Sequence, residues 1–144
     1  MRRTAPLLPV LLILAATAKA ADMPASALDG NYDGVFAAPS APGCGFKTPL
    51  NEHMAFTIST RKAEVRITWK SPFGNSFEFA APLVRDGEGW ALDGQYTATN
   101  FLGTGTFTGR LIAAEHGVIF TQHIRSATHP DCISDATMIG ARPF

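Results

Sequence analysis

Hydrophobic and polar residues alternate along most of the chain beyond residue 30. In "EVRITWK" (64–70), Val65, Ile67 and Trp69 fall on one side, and Arg66, Thr68 and Lys70 on the other. A period of two marks a strand with one buried and one wet face. The same pattern predicts strands over 30–36, 53–60, 64–70, 76–83, 89–97, 104–112, 117–125 and 132–140. No segment carries a helical period. Turn-forming clusters separate the runs: "TRKAE", "SPFGN", "RDGEG", "AEHG" and "SATHPD". Eight strands with mostly short links make an all-β, antiparallel, up-and-down meander, which suits a closed β-barrel or a sandwich.

The alternation also assigns faces. The inward set is Tyr32, Phe36, Phe56, Ile58, Val65, Ile67, Trp69, Phe77, Phe79, Leu83, Trp90, Leu92, Tyr96, Phe107, Leu111, Val118, Phe120 and Ile124. The outward set is Arg66, Thr68, Lys70, Glu78, Asp93, Gln95, Thr106, Thr108, Arg110, Thr121, His123 and Arg125. An eight-stranded barrel is just wide enough to be filled by side chains or to hold one small ligand. With ten aromatic rings facing inward, we expect the interior to be filled by the protein itself. Few inward polar groups could orient a ligand: the hydroxyls of Tyr32 and Tyr96, and Gln122.

Two cysteines, Cys44 and Cys132, choose between the architectures. In an exported chain an even pair reads as one disulfide. Cys44 follows the first strand and Cys132 opens the last. Bonded Cα atoms lie about 4.4–6.8 Å apart. An open meander would hold these points far from each other, so the pair favours a closed barrel over a sandwich.

The start of the chain changes the compartment. "MRRTAPLLPVLLILAATAKA" places Arg2 and Arg3 before an apolar run, and closes on Ala18-Lys19-Ala20. This is the layout of a secretory signal peptide over 1–20, leaving 21–144 as a single small barrel domain that is periplasmic or secreted. Without the leader, nine basic face twelve acidic residues, a formal charge of −3. Nothing in that balance attracts nucleic acid. No transmembrane segment is expected after signal removal. An outer-membrane barrel is disfavoured because Arg142 and Pro143 stand where a lipid-facing last strand would run up to Phe144.

"LDGNY" (28–32) has a near-copy, "LDGQY" (92–96), and "EHMAFTISTRKA" (52–63) resembles "EHGVIFTQHIRSA" (115–127). These likenesses fit a duplicated half-domain. They also fit a simpler origin, in which Asp-Gly supplies a turn or bulge with glycine at positive φ and the following tyrosine points inward. "GTGTFTG" (103–109) lacks the Gly-Lys-Ser/Thr of a phosphate loop, and its glycines read as room for rings opposite. His123, His129 and Asp131 are weak candidates for a metal site. Ser126, His129 and Asp131 have the residue types of a hydrolytic triad, but crowd into one loop, whereas a triad draws on distant segments. No cofactor, catalytic residue or metal is assigned.

The longest connection, 37–52, is stiffened by Pro39, Pro42 and Pro49, and carries Phe46 and Lys47. A pre-organised loop binds at low entropy cost. The sequence therefore favours a non-enzymatic interaction module, such as an inhibitor, whose macromolecular partner docks on Phe46 and Lys47. A carrier of a small apolar ligand, lipocalin- or avidin-like in kind, is the alternative. It lacks the Gly-x-Trp opening of the former and the tryptophan pattern of the latter. A small hydrolase is the third.

Overall fold

The computed structural model describes residues 23–70 and 74–143. The segment 1–20, expected to be a leader, lies outside the described residues, as does Phe144. Nine antiparallel strands form one sheet: β1 (Gly30–Ala38), β2 (Leu50–Arg61), β3 (Glu64–Lys70), β4 (Ser76–Pro82), β5 (Val84–Asp86), β6 (Gly89–Ala98), β7 (Thr104–Ala114), β8 (Gly117–Ser126) and β9 (Ile133–Ala141). The sheet closes on itself. β1 pairs with β9 and β4 with β6, so β1-β2-β3-β4-β6-β7-β8-β9 is a ring of eight. The expected closed barrel is the fold.

β5 is one strand beyond the expected eight, and its register explains it. Phe77 pairs with Ala98 and Ala80 with Gln95; Val84 then pairs with Ala91 and Asp86 with Gly89. Both stretches keep one register on β6, so β5 continues β4 after a break in the β6 pairing at 81–83. Pro82 has no N–H for a ladder. The next amide, of Leu83, turns away to the Ala63 carbonyl at 2.7 Å.

The predicted faces hold. Every residue of the inward set is buried or half-buried, and none of the outward set is buried. The outer wall is polar over much of its area. Arg66 bridges Glu64 and Glu78 at 3.2 and 2.7 Å, and Arg110 reaches Asp86 at 3.0 Å. A short aliphatic row interrupts it, where Val35 and Ile119 both pair with Ile139. Among the described residues no helix is long and apolar enough to cross a membrane.

Strand directions give the barrel two unlike ends. One carries the tight turns 62–63, 87–88 and 115–116, and is closed by a 3-10 turn, Ala25–Leu28. Leu28 plugs it, and the Tyr32 hydroxyl donates to the Leu28 carbonyl at 2.6 Å. Arg142 lies over the Tyr32 ring, and donates to the Tyr32 oxygen and to the Ala27 carbonyl. The other end carries the longer connections 39–49, 99–103 and 127–132. There Cys44 and Cys132 are bonded, with Cα atoms 4.4 Å apart. The bond ties the exit of β1 to the start of β9, across the seam that closes the ring.

The two Asp-Gly-x-Tyr motifs sit in different structural roles. Gly30 opens β1 at φ 153°. Asp29 beside it accepts bonds from the Thr60 amide at 2.6 Å and the Thr60 hydroxyl at 2.8 Å. Gly94 lies inside β6 without positive φ, and a Cβ there would meet the Ala80 carbonyl at 2.1 Å. It is glycine for close approach, so the expected positive φ applies to Gly30 only. The wider likeness does not follow the ring either. β1 pairs with β2, which carries the first "EH" stretch, whereas β7 separates β6 from β8, which carries the second. What the motifs share is an inward tyrosine held by a backbone carbonyl, Leu28 for Tyr32 and Leu102 for Tyr96.

Candidate functional site

The inner set divides into a solid half and an open half. Toward the closed end, Ile58, Val65, Ile67, Leu111 and Val118 pack with no more than 1% exposure. Rings take over at mid-barrel. Phe79 meets Phe107 and Phe120 edge-on at 4.8 and 5.4 Å, and stacks on Trp69 at 5.2 Å. Above this layer the packing stops. Trp69 stacks on Phe77 at 4.6 Å and leans on Phe36 at 6.0 Å, but Phe36 and Phe77 are only half-buried. Between them and the opposite wall lies a cavity of about 250 Å³. The expectation of a filled interior holds for the closed end alone.

Each wall of the cavity comes from the strand alternation. β1 and β2 supply Phe36, Leu50, Glu52 and Met54. β3 and β4 supply Trp69, Phe77 and Phe79. β8 and β9 supply Gln122, Ile124, Ser134 and Ala136. The lip is made by Cys44 and Phe46 from the disulfide loop and by Asn100, Phe101 and Leu102 from the β6–β7 connection, with Asn75 beside them. Aromatic and aliphatic side chains dominate, with a few polar groups among them, the usual makeup of a small-molecule site. An apolar cavity of about 150 Å³ holds a benzene-sized molecule. This one has room for somewhat more.

Two polar residues in the lining stand out. Gln122 is 5% exposed, and its amide nitrogen has no hydrogen-bond partner. A buried donor left unsatisfied costs about 1–3 kcal/mol. The strand register places it deep. Gln122 pairs with Ala136, whereas Ser134 pairs with Ile124, one inward position nearer the mouth. Phe120, the next inward residue below, is fully buried. Glu52 is the other, on the inward parity of β2 but exposed at the mouth. Among the described residues it is the sole charged one in the lining.

The sequence-predicted site residues fall at and around this mouth. Phe46 is half-buried, packed against the core, and Lys47 is exposed beside it. Their loop is compact. Ala41 and Phe46 bridge across it, the Ala41 amide donating to the Phe46 carbonyl at 2.9 Å, and Pro42–Cys44 forms a 3-10 turn. The connection spans 39–49, because β1 and β2 run further than the alternation suggested.

His123, His129 and Asp131 are not brought together. His123 sits on the outer wall, its Nδ1 2.6 Å from Asp135 Oδ1. His129 stacks on Phe101 at 3.7 Å between ring centres. Among the described residues no three metal-ligating side chains cluster. The Ser126 hydroxyl organises its loop instead of facing a histidine ring. It donates to the Leu102 carbonyl at 3.0 Å and accepts from the amides of Thr128 and His129 at 3.2 and 3.0 Å. Tyr96 donates to the same carbonyl at 3.1 Å, and its burial raises its pKa above the ordinary 10.0, with the hydrogen bond to Ser126 acting in the opposite direction. "GTGTFTG" serves packing: a Cβ on Gly105 would stand 2.7 Å from the Tyr96 ring.

No family model, no curated protein and no solved structure matches this chain.

Proposed function

We propose that the protein is an exported carrier that holds one small apolar molecule in the open end of its barrel. The observation that carries this is the aromatic-lined cavity with an unpartnered amide at its inner end. A barrel built only to be a rigid support gains by filling that space, because each missing buried methylene forgoes roughly 0.8 kcal/mol. The opposite end, where Ile58, Val65, Ile67, Leu111 and Val118 are no more than 1% exposed, is what that alternative looks like. The leader and the disulfide support export, since such bonds persist in oxidising compartments.

Docking of a macromolecule on Phe46 and Lys47 is the second reading. It is favoured by a loop pinned at Cys44 and by the exposure of Lys47. The half-burial of Phe46 against the core weighs toward a lip residue over a free anchor. Native mass spectrometry of protein purified from its own compartment separates the two. The carrier reading expects a small organic adduct that is released on unfolding. A co-purifying polypeptide with no small adduct supports the docking reading and contradicts the carrier.

A further inference from the structure

We infer that Gln122 selects the ligand, and that the ligand is an uncharged ring compound whose buried end carries a hydrogen-bond acceptor such as a ketone oxygen. This rests on the carrier reading and adds to it the chemical class of the cargo.

Three observations meet on this class. The amide nitrogen of Gln122 is a donor with no partner, and the inward residues before and after it on β8, Phe120 and Ile124, and its cross-strand partner Ala136 carry no side-chain acceptor. The inward hydroxyls among the described residues are already engaged. Tyr32, Tyr96 and Ser126 each donate to a backbone carbonyl, and Ser134 donates to the Asp135 carbonyl at 3.4 Å. Among the described residues Gln122 is therefore the inward donor left for a molecule in the cavity to satisfy, and because its nitrogen is sealed from solvent, its amide must turn toward the cavity to do so. The second observation is shape and polarity: Phe36, Met54, Trp69, Phe77 and Ile124 surround the rest of the space, so the body of the ligand is apolar. The third is charge. Among the described residues the lining holds Glu52 and no lysine or arginine, so an anion entering the mouth meets a like charge and no counter-ion among them.

Magnitude decides how to test this. A new hydrogen bond inside the protein is worth a net 0.5–1.5 kcal/mol or so, about twofold to tenfold in affinity. A hydrocarbon leaves water more readily than a ketone of the same shape, which offsets a gain of that size. Two ligands compared on one protein would mix these effects. One ligand compared on two proteins does not.

The probes are acetophenone, its hydrocarbon isostere α-methylstyrene, and benzoate. Their dissociation constants are measured by calorimetry on the wild type and on Gln122→Leu, with Gln122→Met as a second variant should the branched side chain disturb folding. Gln122→Leu is expected to weaken acetophenone by about twofold to tenfold, and to leave α-methylstyrene unchanged or bound more tightly. Benzoate is expected to bind neither protein. If the substitution changes ketone and hydrocarbon by the same factor, Gln122 is not the selector and the inference is wrong, while the carrier reading stands. Benzoate bound as tightly as acetophenone overturns the uncharged class. If no probe binds, the class is wrong. If the general apolar dye N-phenyl-1-naphthylamine also fails to bind, the carrier reading falls with it.

Discussion

Cys44 and Cys132 are 88 residues apart in the chain and bonded across the seam between β1 and β9, with Cα atoms 4.4 Å apart. The bond stands at the open end of the barrel, beside the cavity, and Cys44 forms part of its lip. It is both a staple for the ring and a brace for the mouth.

Reduction is therefore expected to act on stability and on binding together. Closing so long a loop contributes roughly 2–5 kcal/mol by restricting the unfolded chain. Chemical denaturation of the wild type and of a Cys44→Ala/Cys132→Ala variant measures this. A variant as stable as the wild type would show that the ring needs no staple.

At the other end, Trp90 is buried under the Arg85 guanidinium, whose carbon lies 4.2 Å from the ring centre. Trp90→Ala is expected to cost about 3–5 kcal/mol of stability. At temperatures where the variant remains folded, ligand affinity should stay within about twofold of wild type. Trp69→Ala should cost stability and affinity together, because Trp69 lines the cavity. Equal loss of affinity in both variants would contradict the division into a solid and an open half.

Phe46 distinguishes a lip from a docking anchor. As a half-buried lip residue, Phe46→Ala should lower stability by about 1–3 kcal/mol and speed ligand release. As an anchor it would leave stability unchanged and weaken capture of a macromolecular partner by about 2 kcal/mol or more. Thermal melts read the first effect and co-purification the second.

Tyr96 gives a pH signature. The unfolded tyrosine loses its proton near pH 10, whereas burial keeps the folded one protonated to higher pH. Above that point the folded state holds more protons, so stability falls as pH rises through the window between the two values. Tyr96→Phe removes this contribution, and costs about 1 kcal/mol at neutral pH through the lost bond to Leu102. Denaturation midpoints at several alkaline pH values should fall less steeply in the variant.

Much of this was legible in the sequence. The alternation of Val65, Ile67 and Trp69 with Arg66, Thr68 and Lys70 named both strand and faces, because a half-buried sheet has a period of two. The cysteine pair named the closure, because a bond has a fixed reach. Gln122 was visible as an inward polar residue between Phe120 and Ile124. Its lack of a partner was not, since that depends on which inward groups find backbone carbonyls. Glu52 was missed because an acid at an inward position, after Pro49, reads as loop, while β2 in fact starts at Leu50. The cavity itself was hidden. Ten rings suggested a full interior, but ring volume does not say at which level of the barrel the rings sit.

The central claim is that the open end takes up a small apolar molecule, and Ala136 offers its most direct test. This half-buried residue lines the cavity opposite the aromatic wall, so Ala136→Phe puts a ring into the empty space. The measurement is a fluorescence titration of the wild type and of Ala136→Phe with N-phenyl-1-naphthylamine. Saturable one-to-one binding by the wild type, lost in a folded variant, is the predicted result. Titrations that coincide, or a wild type that leaves the dye unbound, would contradict it.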